Sequence, residues 1–443
     1  MRATVLASEY LVYVPAAVVF FRRYGRIQGL PTWESTIALV ALLMQPGLIL
    51  IDHAHFQYNA VMLGLMLASI SAFYAQRRLW ACIFFVAALG FKQMALYYAP
   101  AIFAALLAAC VDRGANPRLF LSIALVTLLS FVVLFAPFGI AALIEGPAMD
   151  GEGNAIVVEI PFLSAVPLLS MVAQDTTAWY FPPIQQLAQA IHRIFPFARG
   201  IFEDKVANVW CALNVIIKLR HYPLALLQRA SLVATLTAIV PPCTLIFVRP
   251  RSDLFLFATA ATAWGFFLFS FQVHEKSVLL PLLPMTLVLG QRGGLTPAIR
   301  AWVGWANALG VWTMFPLLKR DELRVPYFVL SLLWAYLLGL PPTSLSAYRG
   351  KRQPNEGELG IVAKVLHLSF YHFMILWHFA EAFIEAPKSK PDLWVVVNAG
   401  VGAAGFSMCY LWCLWQCLRL AGFVDVGVDS RLSAKTEKER PTS

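Results

Sequence analysis

Pro46-Gly47-Leu48-Ile49-Leu50-Ile51-Asp52-His53-Ala54-His55-Phe56-Gln57-Tyr58-Asn59 is a hydrocarbon run that turns abruptly polar. One carboxylate, two imidazoles and two amides fall between Asp52 and Asn59. Apolar runs flank this knot, residues 36–51 before it and 58–75 after it. As helices rising about 1.5 Å per residue they reach about 24 and 27 Å, most of the way across a hydrocarbon core about 30 Å thick. Ionisable groups at that depth are costly to desolvate and mark functional positions. The stretch therefore reads as two membrane helices joined by a polar turn, with the turn as a site.

The same pattern continues outward. Candidate spans lie at 4–21, 36–51, 58–75, 79–96, 97–111, 119–138, 203–218, 230–248, 253–272, 276–290, 300–317, 325–341, 360–384 and 393–420. Residues 79–111 are two short spans around Lys92-Gln93, or one span and a re-entrant piece. Composition agrees: 60% of the 443 residues are hydrophobic and 13% charged, against roughly 45–50% and about 25% in soluble domains. The expected fold is an all-α polytopic membrane protein; a β-barrel would show ten-residue alternating segments instead. Residues 1–424 form the transmembrane domain, including a long loop at 139–200, and 425–443 a polar cytoplasmic tail.

The net charge of +10 does not point to nucleic acid. The basic residues sit at the ends of apolar runs, at Arg22-Arg23, Arg77-Arg78 and Arg349 to Arg352, which is the positive-inside signature of cytoplasmic loops. The seven cysteines lie in or beside apolar stretches with no CxxC pair, so they read as packing residues rather than metal ligands or disulfides. Orientation by arginines puts the Asp52–Asn59 knot, Lys92-Gln93 and loop 139–200 on the far side of the membrane. A conflict follows. Three candidate spans between that loop and His274 put His274 in the cytoplasm, while Arg249-Pro250-Arg251 puts it on the far side. One span between 200 and 272 is expected not to cross.

Polar groups concentrate at five places. Asp52, His53 and His55 have the right types for metal ligands, but His-x-His is only a fragment of such a site; interfacial caps and a polar substrate site fit as well. Gln57, Tyr58 and Asn59 add the donors and acceptors a sugar needs. His274, Glu275 and Lys276 are not an H-E-x-x-H motif, and one acid between two cations suits an anionic group; an interfacial snorkelling cluster is the plain alternative, as it is for Lys92. Arg193 and Arg199 flank an aromatic turn and could contact phosphate bidentately, or simply anchor the interface. His367, His372, His378, Glu381 and Glu385 share no single face and read as interhelical hydrogen-bonding residues.

Three motifs resemble the dolichyl-phosphate-glucose-dependent α-1,3-glucosyltransferases of the endoplasmic reticulum: the opening stretch, Phe91-Lys92-Gln93-Met94-Ala95-Leu96-Tyr97-Tyr98, and Phe271-Gln272-Val273-His274-Glu275-Lys276-Ser277. Lys92-Gln93-Met94 and Phe202-Glu203-Asp204-Lys205-Val206-Ala207-Asn208 are similar to the members that add the first glucose. The resemblance implies a GT-C multi-helix bundle of about 13–14 transmembrane helices, each roughly 20 residues, in the endoplasmic reticulum membrane with a lumenal site. It implies dolichyl phosphate glucose as donor, a Man9GlcNAc2 lipid-linked oligosaccharide as acceptor, inversion at the anomeric carbon, and no metal or other cofactor. Asp52, His53, His55, Gln57, Asn59, Lys92, Gln93, Arg193, Arg199, His274, Glu275 and Lys276 would bind donor phosphate or sugar. Trp179 would stack on the acceptor.

The family's base lies in a lumenal loop that would precede Met1, so no base is assigned here. Asp52 is the nearest surviving acid but is not assigned as the base, and the chain as written is expected to be weakly active or inactive. The second-glucose member of the family, a lipid or sugar transporter, and a non-catalytic binding subunit are the other readings.

Overall fold

The computed structural model describes residues 2–112, 114–146, 178–194, 205–349 and 359–424. Those residues form helices, with no strand among them. Eight helices are long and apolar enough to cross a membrane. In chain order the first elements are α1 (Ala3–Gln28), α2 (Thr32–Ala54), α3 (Asn59–Tyr74), α4 (Arg78–Phe91), α5 (Gln93–Val111) and α6 (Pro117–Glu145). Then come α7 (Phe181–Ile194), α8 (Val209–Ile217), α9 (Leu224–Val248), α10 (Ser252–Phe269) and α11 (Leu279–Leu287). The last are α12 (Pro297–Thr313), α13 (Phe315–Arg320), α14 (Arg324–Leu338), α15 (Ile361–Phe383) and α16 (Leu393–Leu420). Residues 79–111 are two helices, separated where Lys92 is extended at φ −146°, ψ 127°.

The span expected over 203–218 is not there. α8 has nine residues, about 14 Å of helix, less than half a bilayer core. Asn208 caps its start, its side-chain oxygen accepting from Cys211 N–H at 2.9 Å, and left-handed Lys218 ends it. Removing this crossing resolves the conflict over His274. Residues 270–278 come to the same end of the bundle as residues 52–59, joined by a contact between Lys276 and His55.

α3, α10 and α11 form the centre, and nearly every residue of α10 is buried. Trp264 on α10 is fully buried and stacks on Phe406 of α16 at 4.9 Å. In lipid, helices associate through close packing and interhelical hydrogen bonds, because the solvent is as apolar as the side chains. Both devices are present. Gly64 of α3 lies against the backbone of α1, where a Cβ would meet Tyr13 Cα at 2.8 Å. A buried polar chain runs from Gln45 of α2 to Asn307 of α12 at 2.5 Å and on to Thr286 of α11 at 3.0 Å.

Of the five late histidines and glutamates, His367, His378 and Glu381 pair with residues outside their own helix. Tyr348 meets His367 Nδ1 at 3.2 Å and Tyr327 meets His378 Nε2 at 3.0 Å, while Glu381 pairs with Lys319. The seven cysteines are free thiols. α6 stands apart. It packs on α4 and α7, yet Ala142 is the one buried residue along its length. A cavity of about 490 Å³ lies among α4, α5 and α6, lined by Cys82, Phe85, Ile102, Cys110, Phe120 and Leu128 among others.

A candidate polar site at one end of the bundle

Two departures from regular helix build this site. α1 and α2 each contain one π turn, Glu9–Tyr13 and Leu50–Ala54. A π turn inserts one residue and rotates the next side chains off the regular stripe, and it recurs at functional positions. Here the two turns hold Glu9 and Asp52. Phe56 and Tyr58 follow with φ of 58° and 52°. Left-handed backbone at a bulky residue costs about 1–3 kcal/mol and persists only where the surroundings hold it. The hold is visible: Asp52 Oδ2 accepts the Ala60 N–H at 2.5 Å and so fixes the start of α3. Asp52 itself is fully buried, facing inward beneath the turn rather than into open space.

Three pairings radiate from this turn. Lys92 donates to the Gln57 carbonyl and, at 2.8 Å, to Asn59 Oδ1. His53 Nε2 meets the carboxylate of Glu9, which is 7% exposed. His55 joins Asp321 Oδ2, 2.5 Å from its Nδ1, to Lys276 Nζ, 3.1 Å from its Nε2. An ammonium can only donate, so Nε2 is the acceptor here and the ring proton sits on Nδ1, directed at Asp321. The result is two cations, two carboxylate–imidazole pairs and several amides within one region.

The sequence motifs are thus brought together, with exceptions. Gln93 is exposed beside Lys92 and makes none of the hydrogen bonds of the cluster. His274 is exposed, and Glu275 half-buried, in the turn that carries Lys276. Trp179 is 77% exposed next to Tyr180, just before α7, and takes part in none of the three pairings. Arg193 is in the last turn of α7, with its side chain outside the described residues, and Arg199 lies outside them altogether. Glu9 and Asp321 are the residues that the sequence reading missed. A lone carboxylate inside a 26-residue apolar helix was the available signal for Glu9. Among the described residues no three His, Cys, Asp or Glu side chains converge as metal ligands.

This arrangement suits a ligand with both an anion and hydroxyl groups. Known proteins sharpen that description. The family model described as "ALG6, ALG8 glycosyltransferase family" matches residues 1–146 and 152–415. The chain belongs to that glycosyltransferase family. Its relatives include the probable dolichyl pyrophosphate Man9GlcNAc2 alpha-1,3-glucosyltransferase of Schizosaccharomyces pombe, 36% identical over 436 residues, covering 98% of this chain and 74% of that protein. The dolichyl pyrophosphate Man9GlcNAc2 alpha-1,3-glucosyltransferase of Saccharomyces cerevisiae is 36% identical over 433 residues, covering 94% and 72%. The mouse enzyme of that name is 32% identical over 427 residues, covering 92% and 73%. The family match spans both sides of the site, from α1 through α16, so every pairing described above lies within it.

Proposed function

We propose that this chain transfers glucose from dolichyl phosphate glucose to Man9GlcNAc2 pyrophosphoryl-dolichol, adding the first glucose through an α-1,3 linkage. The observation that carries this reading is the Lys276–His55–Asp321 contact, which holds a cation at the polar end of an apolar bundle. The donor's lipid tail requires a membrane enzyme, its phosphate a cation, and its sugar a set of amides and hydroxyls. Lys276 and Lys92 serve the phosphate; Asn59, Gln57 and His53 serve the glucose. The polar end faces the lumen of the endoplasmic reticulum, opposite the arginine-rich loops.

The transfer is a single displacement with inversion. The acceptor hydroxyl oxygen forms its bond to the anomeric carbon as the bond from that carbon to the phosphate oxygen breaks. The electron pair leaves with dolichyl phosphate, and a base takes the hydroxyl proton. Cations near the leaving oxygen stabilise the charge that develops there.

Loss of this chain from its own cells is expected to leave Man9GlcNAc2 as the end product of lipid-linked oligosaccharide assembly. Mass spectrometry of the extracted oligosaccharides decides it. Glc1Man9GlcNAc2 as the end product would assign the second glucose instead. An unchanged profile would overturn both assignments.

A further inference from the structure

A second feature lies at the opposite end of the same helices. α1 and α4 both pack on α3, and between them they leave a cleft of about 490 Å³. Gly64, Ala68 and Ser71 of α3 line its floor, and Leu11, Trp80 and Phe84 are among its walls. From Leu11 to Arg23 the cleft follows α1 for 12 residues, about 18 Å, close to the length of one fatty acyl chain. Arg23 and Arg77 close its cytoplasmic end.

Three observations say that an anion belongs there. Arg23 and Arg77 are exposed, and neither forms an ion pair among the described residues. Neighbouring Arg78 is differently employed: its guanidinium lies 4.0 Å from the Phe73 ring and donates to the Phe73 carbonyl. Ser71 is 6% exposed, yet its hydroxyl has no hydrogen-bond partner among the described residues. A buried hydroxyl left unpaired costs about 1–3 kcal/mol, and the residue that carries this one lines the cleft. Trp80, 51% exposed, sits at the same end, where tryptophans mark the headgroup level.

We infer that this cleft binds one anionic glycerophospholipid from the cytoplasmic leaflet. Its phosphate lies between Arg23 and Arg77, a turn of the Ser71 side chain toward the cleft gives the unpaired hydroxyl an ester or phosphate oxygen to donate to, and one acyl chain runs up the cleft toward Leu11. A dolichyl substrate is the wrong occupant. Its phosphate belongs at the other end, 12 residues up α3 from Ser71 to Asn59, about 18 Å away.

The test is native mass spectrometry of the whole chain, released from nanodiscs containing equal phosphatidylserine and phosphatidylcholine of matched chains. The chain is expected to retain one phosphatidylserine. The double variant Arg23→Gln/Arg77→Gln is expected to lower that retention about thirtyfold relative to phosphatidylcholine, from about 1 kcal/mol per cation. Ala68→Phe fills the cleft with both cations intact and is expected to abolish retention. Equal retention of the two lipids by the unaltered chain would overturn the inference. So would full phosphatidylserine retention by the double variant. Retention by Ala68→Phe would show that the lipid sits outside the cleft, and a polypeptide retained in place of lipid would assign the cleft to a protein partner; either result overturns it.

Discussion

Lys276→Met is expected to weaken binding of dolichyl phosphate glucose by about 10- to 100-fold, the range for losing a hydrogen bond to a charged group. Lys276 spends one of its donors on His55 Nε2 at 3.1 Å. An ammonium has three donors, so two remain for a phosphate. His55 presents a lone pair, not a negative charge, and Asp321 lies beyond the ring. The cation is therefore positioned without being neutralised by direct contact. Methionine keeps the length of the chain and removes the charge.

Titration of a short-chain donor analogue into the nanodisc-embedded protein gives the dissociation constant. Turnover should fall further than binding, by about 10²- to 10³-fold, where the cation also meets charge developing on the leaving oxygen. Asp321→Asn and Lys276→Met act on one assembly, so the double variant should fall well short of the product of the single effects. An unchanged donor affinity in Lys276→Met would remove Lys276 from the donor site.

Gly64→Val is expected to destabilise the bundle by about 2–3 kcal/mol, the cost of forcing atoms into a packed interface. The new Cβ would stand 2.8 Å from Tyr13 Cα and 3.0 Å from Tyr13 N. These are backbone atoms and have no rotamer to escape into, so α1 must move off α3. Tyr13 ends the π turn that begins at Glu9, and the displacement also pulls Glu9 from His53. Denaturant unfolding in mixed micelles measures the stability loss, and Gly64→Ala should lie between wild type and valine. A valine variant as stable as wild type would mean that the two helices do not meet as described.

Much of this was legible because polar residues stand out against hydrocarbon. The three motifs around Asp52, Lys92 and Lys276 could be picked from the chain, and the expectation that they share one end of the bundle holds. Their partners could not be picked. His53 reaches across 44 positions to Glu9, and His55 across 266 to Asp321. Only packing brings such residues together, and Asp321 had no local pattern to mark it, following Lys319 and Arg320 as one more charge at a helix end. α8 was misread for a different reason. Its residues are as apolar as those of a span, but a capping asparagine at its start and Lys218-Leu219-Arg220-His221 at its end limit it to nine residues. The cap was visible in the sequence and outweighs hydropathy.

The exposure of α6, the highest of the eight long apolar helices, sets what different probes will see when the protein is unfolded. Helices with few buried contacts open at lower free energy than the core. The chain has 13 tryptophans, and none falls in 117–145 or 181–194. Tryptophan fluorescence is therefore weighted toward the centre, where Trp264, Trp305 and Trp312 are fully buried, and follows the departure of α6 only through Trp80 on α4 and Trp179 beside α7. Cys82 and Cys110 are buried and line the cavity that α6 covers, so thiol labelling at those two positions follows that departure directly. Labelling is expected to reach its midpoint at a lower denaturant concentration than fluorescence. Coincident curves would mean that α6 is held as firmly as the core. Separate curves would make one optical melting point an incomplete measure of this protein, since a two-state free energy needs all probes to agree.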